Sequence, residues 1–279
     1  MTDIFEVVKK VKNLPPFPKT VRRALDMLKK PDVSNQQLAQ VLIYDQAVTA
    51  NVLRLCNSAY FGLNREVTSL RDGLTMLGHK NTHQLLVASG ILPLYQGEHD
   101  GYCLAPGELW QHSMAVATMA ELLGEKVGWP DLPLLFTTAL LHDIGKLVLA
   151  QFVAEEFLLI QDLVGQGKPF TEAEGLIIGM DHGQLGGLIA LEWKFPEPMV
   201  SAITFHHEPE QAPTASDLTA LVYLANNLVL FLGVGVGVVG LPMAADTGAL
   251  QRFKLTQNDL DMLLVMFYPR LELAQRNLN

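Results

Sequence analysis

Apolar residues recur at three- and four-residue spacing through most of this chain, and that period commits it to helices. Ile4, Val7, Val8 and Val11 begin the pattern, and Val21, Leu25 and Leu28 resume it beyond the Pro-rich segment LPPFP. Leu38, Val41 and Leu42, then Val52, Leu53 and Leu55, carry it on. One apolar stripe per helix is what a helix needs to pack against a neighbour. No alternation of polar and apolar residues is long enough to require a sheet, so the expected fold class is all-α. The punctuation agrees. Ser34 with Gln37 three residues on forms a capping-box pattern. Asp45, Ser69 and Thr256 read as N-caps, and Gly62, Gly78 and Gly90 as stops. Pro31, Pro130, Pro133 and Pro196 fall at expected boundaries.

The polar stretch QGEHDGYCLAPG (96–107) divides the chain into an expected N-terminal helical domain, 1–99, and a second one, 100–279. With 279 residues, 49% hydrophobic and 18% charged, the chain can bury a real core. A net charge of -9 argues against bulk binding of nucleic acid through a basic surface. Cys56 and Cys103 form no CxxC pair, which removes thiolate zinc sites and points to reduced, buried thiols. The N-terminus lacks the continuous apolar run of a secretory signal. The most apolar stretch, 228–241, is short of the ~20 residues that span a bilayer, so a soluble cytoplasmic protein without membrane partners is expected. Gly235, Gly237 and Gly240 make a formal GxGxxG, but Leu241-Pro242 follows in helical surroundings, so it reads as an apolar loop rather than a nucleotide cradle.

The chemistry is concentrated in the second part. His112, His142, His182, His206 and His207 lie in or beside apolar helical patterns, with Asp143 directly after His142. Taken singly, each histidine reads as a satisfied core or surface residue. Together they read otherwise, because an imidazole or carboxylate inside an apolar helix must find a partner or cost several kcal/mol. A divalent cation satisfies both, and neutral imidazoles with a carboxylate suit Fe, Mn, Zn or Ni better than Ca. Glu108 lies four residues before His112, which puts both on one helix face. Lys146 lies four residues after His142, either as a phosphate-stabilising cation or as a solvated helix-end charge. Asp181 beside His182 reads as a cap or as a support for the imidazole. His79, His83 and His99 fall outside the pattern, and Trp110, Trp193 and Phe205 read as core.

The ordered set HDIGK (142–146), His112 before it, and His182 and His206-His207 after it resembles the HD superfamily of metal-dependent phosphohydrolases. The resemblance is closer to the HDOD family, the HD-related output domains of bacterial signalling. LPPFPKTVRRAL, CNSAYFG, SLRDGLTMLG and DHGQLGGLIALEWKFPEPMVSAITFHHEP carry it, over about residues 14–230. It implies an N-terminal helical bundle packed on an HD-like helical core. It also implies one or two divalent ions, drawn from Fe, Mn, Ni, Zn or Mg. His112, His142 and Asp143 match the core ligand positions, and His182, His206 and His207 the additional ones. Glu108 resembles the acidic residue before the first histidine of some two-metal members. Asn226 stands where the last aspartate is expected, and the GYP loop of the cyclic-dinucleotide branch is absent. The function implied is a signalling or regulatory module with a metal-binding pocket, acting through a partner protein or a nucleotide or phosphate ligand. The alternative is an active metal-dependent phosphohydrolase, with Asp143 and Lys146 as catalytic groups.

Overall fold

The computed structural model describes residues 4–30, 32–58, 61, 63, 65–96, 102, 104–214, 216–234 and 247–275. Pro31, Gly62, His99, Cys103 and the 235–240 glycine tract lie outside them. The described residues are helical, with no strand among them. In chain order the helices are α1 (Ile4–Asn13), α2 (Lys19–Leu28), α3 (Asn35–Leu42), α4 (Gln46–Cys56) and α5 (Leu70–Ile91). Then come α6 (Glu108–Val127), α7 (Leu132–Leu141), α8 (Lys146–Glu155), α9 (Phe157–Gly165) and α10 (Phe170–Ile178). The chain continues through α11 (His182–Glu192), α12 (Glu197–Thr204), α13 (Ser216–Phe231), α14 (Thr247–Arg252) and α15 (Gln257–Gln275). The all-α expectation holds.

The chain forms two compact units, Met1–Pro15 with Gly97–Leu264, and Pro16–Gln96 with Val265–Asn279. In the second, α2, α3 and α4 pack on α5. The expected caps operate here. The Ser34 hydroxyl accepts from the Gln37 N–H at 3.2 Å while the Gln37 side chain accepts from the Ser34 N–H at 2.9 Å. Asp45 and Ser69 accept from Val48 and Asp72. Gly78 breaks the helical run within α5, as its reading as a stop expects, and a second helical stretch follows. Its φ is 72° and its ψ 173°, non-helical values whose positive φ glycine adopts without the Cβ penalty. Cys56 is buried, and burial pushes its thiol up to about 12, an inert group at neutral pH.

The first unit carries His112, His142, His182, His206 and His207. α6 packs along α7 and α13, α11 lies on α12, and α1 touches α8 and α11. Trp110 and Trp193 are buried, whereas Phe205 is half-buried. The long apolar span Leu132–Ala150 is 78% buried and is not one helix: residues 142–145 form a turn between α7 and α8. His142 and Asp143 sit in that turn, whose backbone N–H groups bond three residues back, Ile144 to Leu141 O and Lys146 to Asp143 O.

Candidate metal centre

Five histidines and an aspartate from distant stretches of the first unit converge. Asp143 is the centre. Its Oδ2 lies 3.4 Å from His112 Nε2, 3.4 Å from His142 Nε2 and 2.6 Å from Lys146 Nζ. Its Oδ1 lies 3.3 Å from His182 Nε2 and 3.7 Å from His206 Nε2. His207 Nε2 approaches His182 Nε2 at 2.8 Å. The donor atoms fall into two groups that share the carboxylate: His112, His142 and Asp143, and Asp143, His182, His206 and His207. All are buried except His207, which is half-buried.

Backbone carbonyls aim the rings. His112 Nδ1–H donates to Val234 O at 2.9 Å, His142 Nδ1–H to Ala139 O at 2.8 Å, and His206 Nδ1–H to Ile203 O at 2.7 Å. A carbonyl only accepts, so each neutral ring carries its proton on Nδ1 and turns the Nε2 lone pair inward. Those three Nε2 atoms and Asp143 Oδ1 are buried with no hydrogen-bond partner. Buried polar atoms are nearly always satisfied, and these four orphans, distributed over the two donor groups that share Asp143, fit cations in chemistry.

Close backbone approach holds the two halves together. A Cβ at Gly145 would stand 1.9 Å from His182 O, and one at Gly187 would stand 1.9 Å from Thr204 Oγ1. The glycines of HDIGK and HGQLGG therefore let the 142–145 turn, α11 and α12 meet. Gly145→Ala is expected to destabilise by at least about 1–3 kcal/mol through overpacking against backbone and to weaken metal uptake. Urea unfolding and elemental analysis check it; wild-type values on both would refute the contact.

The remaining sequence candidates are placed as follows. Lys146 is 5% exposed and bonds Asp143, so it is no solvated helix-end charge. Asn226 is buried on α13, its Oδ1 without a partner. Glu108 is half-buried at the start of α6, where its carboxylate accepts from the Ala105 N–H at 2.8 Å; it belongs to neither donor group. Asp181 is the N-cap of α11 in a capping box with Gln184. Glu174 escaped the sequence reading. Its Oε2 accepts from His182 Nδ1–H at 2.7 Å and from the His182 backbone N–H at 3.2 Å, and its Oε1 accepts from the Tyr102 hydroxyl. The signal was an acid in the segment FTEAEGLII, which holds two, with no spacing rule to single out Glu174 from Glu172.

The HDOD domain family matches residues 14–209, well over half of the chain. The chain belongs to the HDOD family. An HDOD domain protein of Geobacter sulfurreducens of known structure is 26% identical, with a TM-score of 0.76 over 98% of this chain and 99% of its own. A candidate phosphohydrolase of Shewanella amazonensis SB2B, 24% identical, shares the fold with a TM-score of 0.73, each chain being 98% covered. An uncharacterized protein of Treponema pallidum (strain Nichols) is 23% identical over 231 residues, 81% of this HDOD chain and 44% of that protein. The chain thus spans less than half of that curated relative.

Burial and charge set opposing protonation states within the HDOD site. Desolvation, helped by the charges of His142 and Lys146, lowers His112 to about 3, and desolvation lowers His142 and His206 as well. Burial pushes the Asp143 carboxyl up, but His142, Lys146 and His182 outweigh it and hold the group well below the usual carboxylate range. Burial pulls His182 down, but Glu174 outweighs it and lifts His182 to about 9. The linkage signs follow. A histidine depressed in the fold binds fewer protons than in the unfolded chain, so His112 costs stability progressively as pH falls from about 6.5 to 3. His182 is raised, so its contribution is complete below about 6.5 and is lost as pH rises to about 9. The metal-free protein is expected to melt highest near pH 6.5 and lower on either side. Melting in chelator from pH 5 to 9.5 checks this; a steady rise to pH 9 would show His182 neutral throughout.

Proposed function

We propose that this chain is a bacterial regulatory HDOD protein whose pocket holds one or two divalent cations and acts through a partner protein or a nucleotide or phosphate ligand. The observation that carries the reading is the set of inward, unpartnered Nε2 atoms of His112, His142 and His206 around the Asp143 carboxylate. His182 and His207 complete the donor set beside Asp143. A cation held there supplies Lewis acidity toward a phosphate oxygen. Asp143 anchors both donor groups, and the buried Lys146 ammonium holds its Oδ2. Asn226, a neutral amide at the position the family resemblance gives to an aspartate, favours binding over turnover.

The second reading, a metal-dependent phosphohydrolase, is favoured by one observation: the two donor groups share a single carboxylate, an arrangement that suits a two-cation site. Lys146 would then bear on the phosphoryl oxygens and Asp143 would orient both ions.

Metal analysis of protein purified without chelator, followed by titration of the stripped chain with Mn2+ or Fe2+, tests the shared claim. At about one hundred times the dissociation constant, binding adds about 2.7 kcal/mol. For a chain of this size that is a rise in melting temperature of roughly 5–10 °C. No metal and no shift would sink both readings. Screening nucleotides, cyclic dinucleotides and phosphomonoesters with added metal separates them: binding without turnover supports regulation, and metal-dependent turnover supports the hydrolase.

A further inference from the structure

The four buried rings are not held alike. His112, His142 and His206 each give Nδ1–H to a neutral backbone carbonyl. His182 alone gives it to a carboxylate, Glu174, at 2.7 Å. Glu174 is itself fully buried, so water does not dilute its charge. Its Oε2 also takes the His182 backbone N–H at 3.2 Å, and its Oε1 takes the hydroxyl of Tyr102, a residue 1% exposed. Three hydrogen bonds thus fix the carboxylate, and the carboxylate fixes the ring.

A carboxylate behind an imidazole raises the basicity of the far nitrogen, locks its tautomer and brings negative charge close to whatever that nitrogen binds. In a site whose inner carboxylate, Asp143, is already shared with Lys146, that extra charge decides which side attracts a dication more. The His112–His142 side has no such support: its two rings lean on carbonyls and face the same Asp143 oxygen that Lys146 holds at 2.6 Å. The donor count runs the same way, three histidines with Asp143 against two.

We propose that Glu174, fixed by Tyr102, is the positioning residue that makes the Asp143–His182–His206–His207 group the tighter of two unequal cation positions. This rests on the metal-centre reading above. The pair touches no ligand in this role; it acts through His182.

Calorimetric titration of the chelator-stripped full chain with Mn2+ tests it, in wild type, Glu174→Gln, Tyr102→Phe and His112→Gln. His112→Gln identifies the weaker position, because it leaves the tighter one intact. Glu174→Gln keeps an acceptor for Nδ1–H but removes the charge, and is expected to weaken the tight position about 10- to 100-fold while the weaker one keeps its affinity. Tyr102→Phe, which removes one hydroxyl, is expected to weaken the same position by less. A merely structural role would lower melting temperature and weaken both positions together. Unchanged tight binding in Glu174→Gln, or equal loss at both positions, overturns the proposal and leaves the metal centre standing. A wild-type chain that takes up no Mn2+ overturns the metal centre itself.

Discussion

Asp143→Ala is expected to abolish metal uptake and to destabilise the metal-free protein by about 3–5 kcal/mol. The two losses have different causes. Metal uptake fails because both donor groups draw on this one carboxylate, through Oδ2 toward His112 and His142 and through Oδ1 toward His182 and His206. Stability falls because Lys146 stays behind, 5% exposed, its ammonium deprived of the oxygen 2.6 Å away. A lone buried cation is far costlier than a missing pair. The double variant Asp143→Asn with Lys146→Met is therefore expected to recover most of the stability and none of the metal. Urea unfolding in chelator and elemental analysis read the two effects apart. Full metal content in Asp143→Ala would remove this residue from the centre.

Trp193→Ala is expected to cost about 3–5 kcal/mol, or roughly 6–20 °C in melting temperature for a chain of this size. The indole is 4% exposed and meets the Phe195 ring edge-on, with centroids 6.0 Å apart. Its backbone N–H closes α11 on Ile189 O. His182 opens the same helix at the other end, pinned by Glu174 and by the glycine contacts to α12 and the 142–145 turn. Below its lowered melting temperature the variant is expected to keep its metal stoichiometry. A melting temperature within about 2 °C of wild type would contradict the burial.

Period and punctuation made the helices legible, because packing an apolar stripe and satisfying helix ends are local demands. Ser34, Asp45, Ser69 and Asp181 act where their residue types placed them. The convergence of His112, His142, His182, His206 and His207 was legible as a cost: each was too polar for its surroundings. Three features were not. Gly90 reads as a stop yet lies inside α5, where a Cβ would press on the Phe17 ring at 3.1 Å, so it serves close packing rather than termination. Lys146 reads either as a site cation or as a surface charge until its burial against Asp143 is seen. Glu174 acts across space on a ring eight residues away, through a bond that no periodicity encodes.

The turn at 142–145 sits inside the long greasy stretch Leu132–Ala150, 78% of it shielded from solvent. That stretch is a dielectric jacket around Asp143. Charges within it interact several-fold more strongly than they would in water, and mobile ions do not reach them to soften the effect. Raising ionic strength should therefore loosen rim pairs such as Lys126–Asp259 while leaving the Asp143–Lys146 pair insulated, so salt has little purchase on this centre.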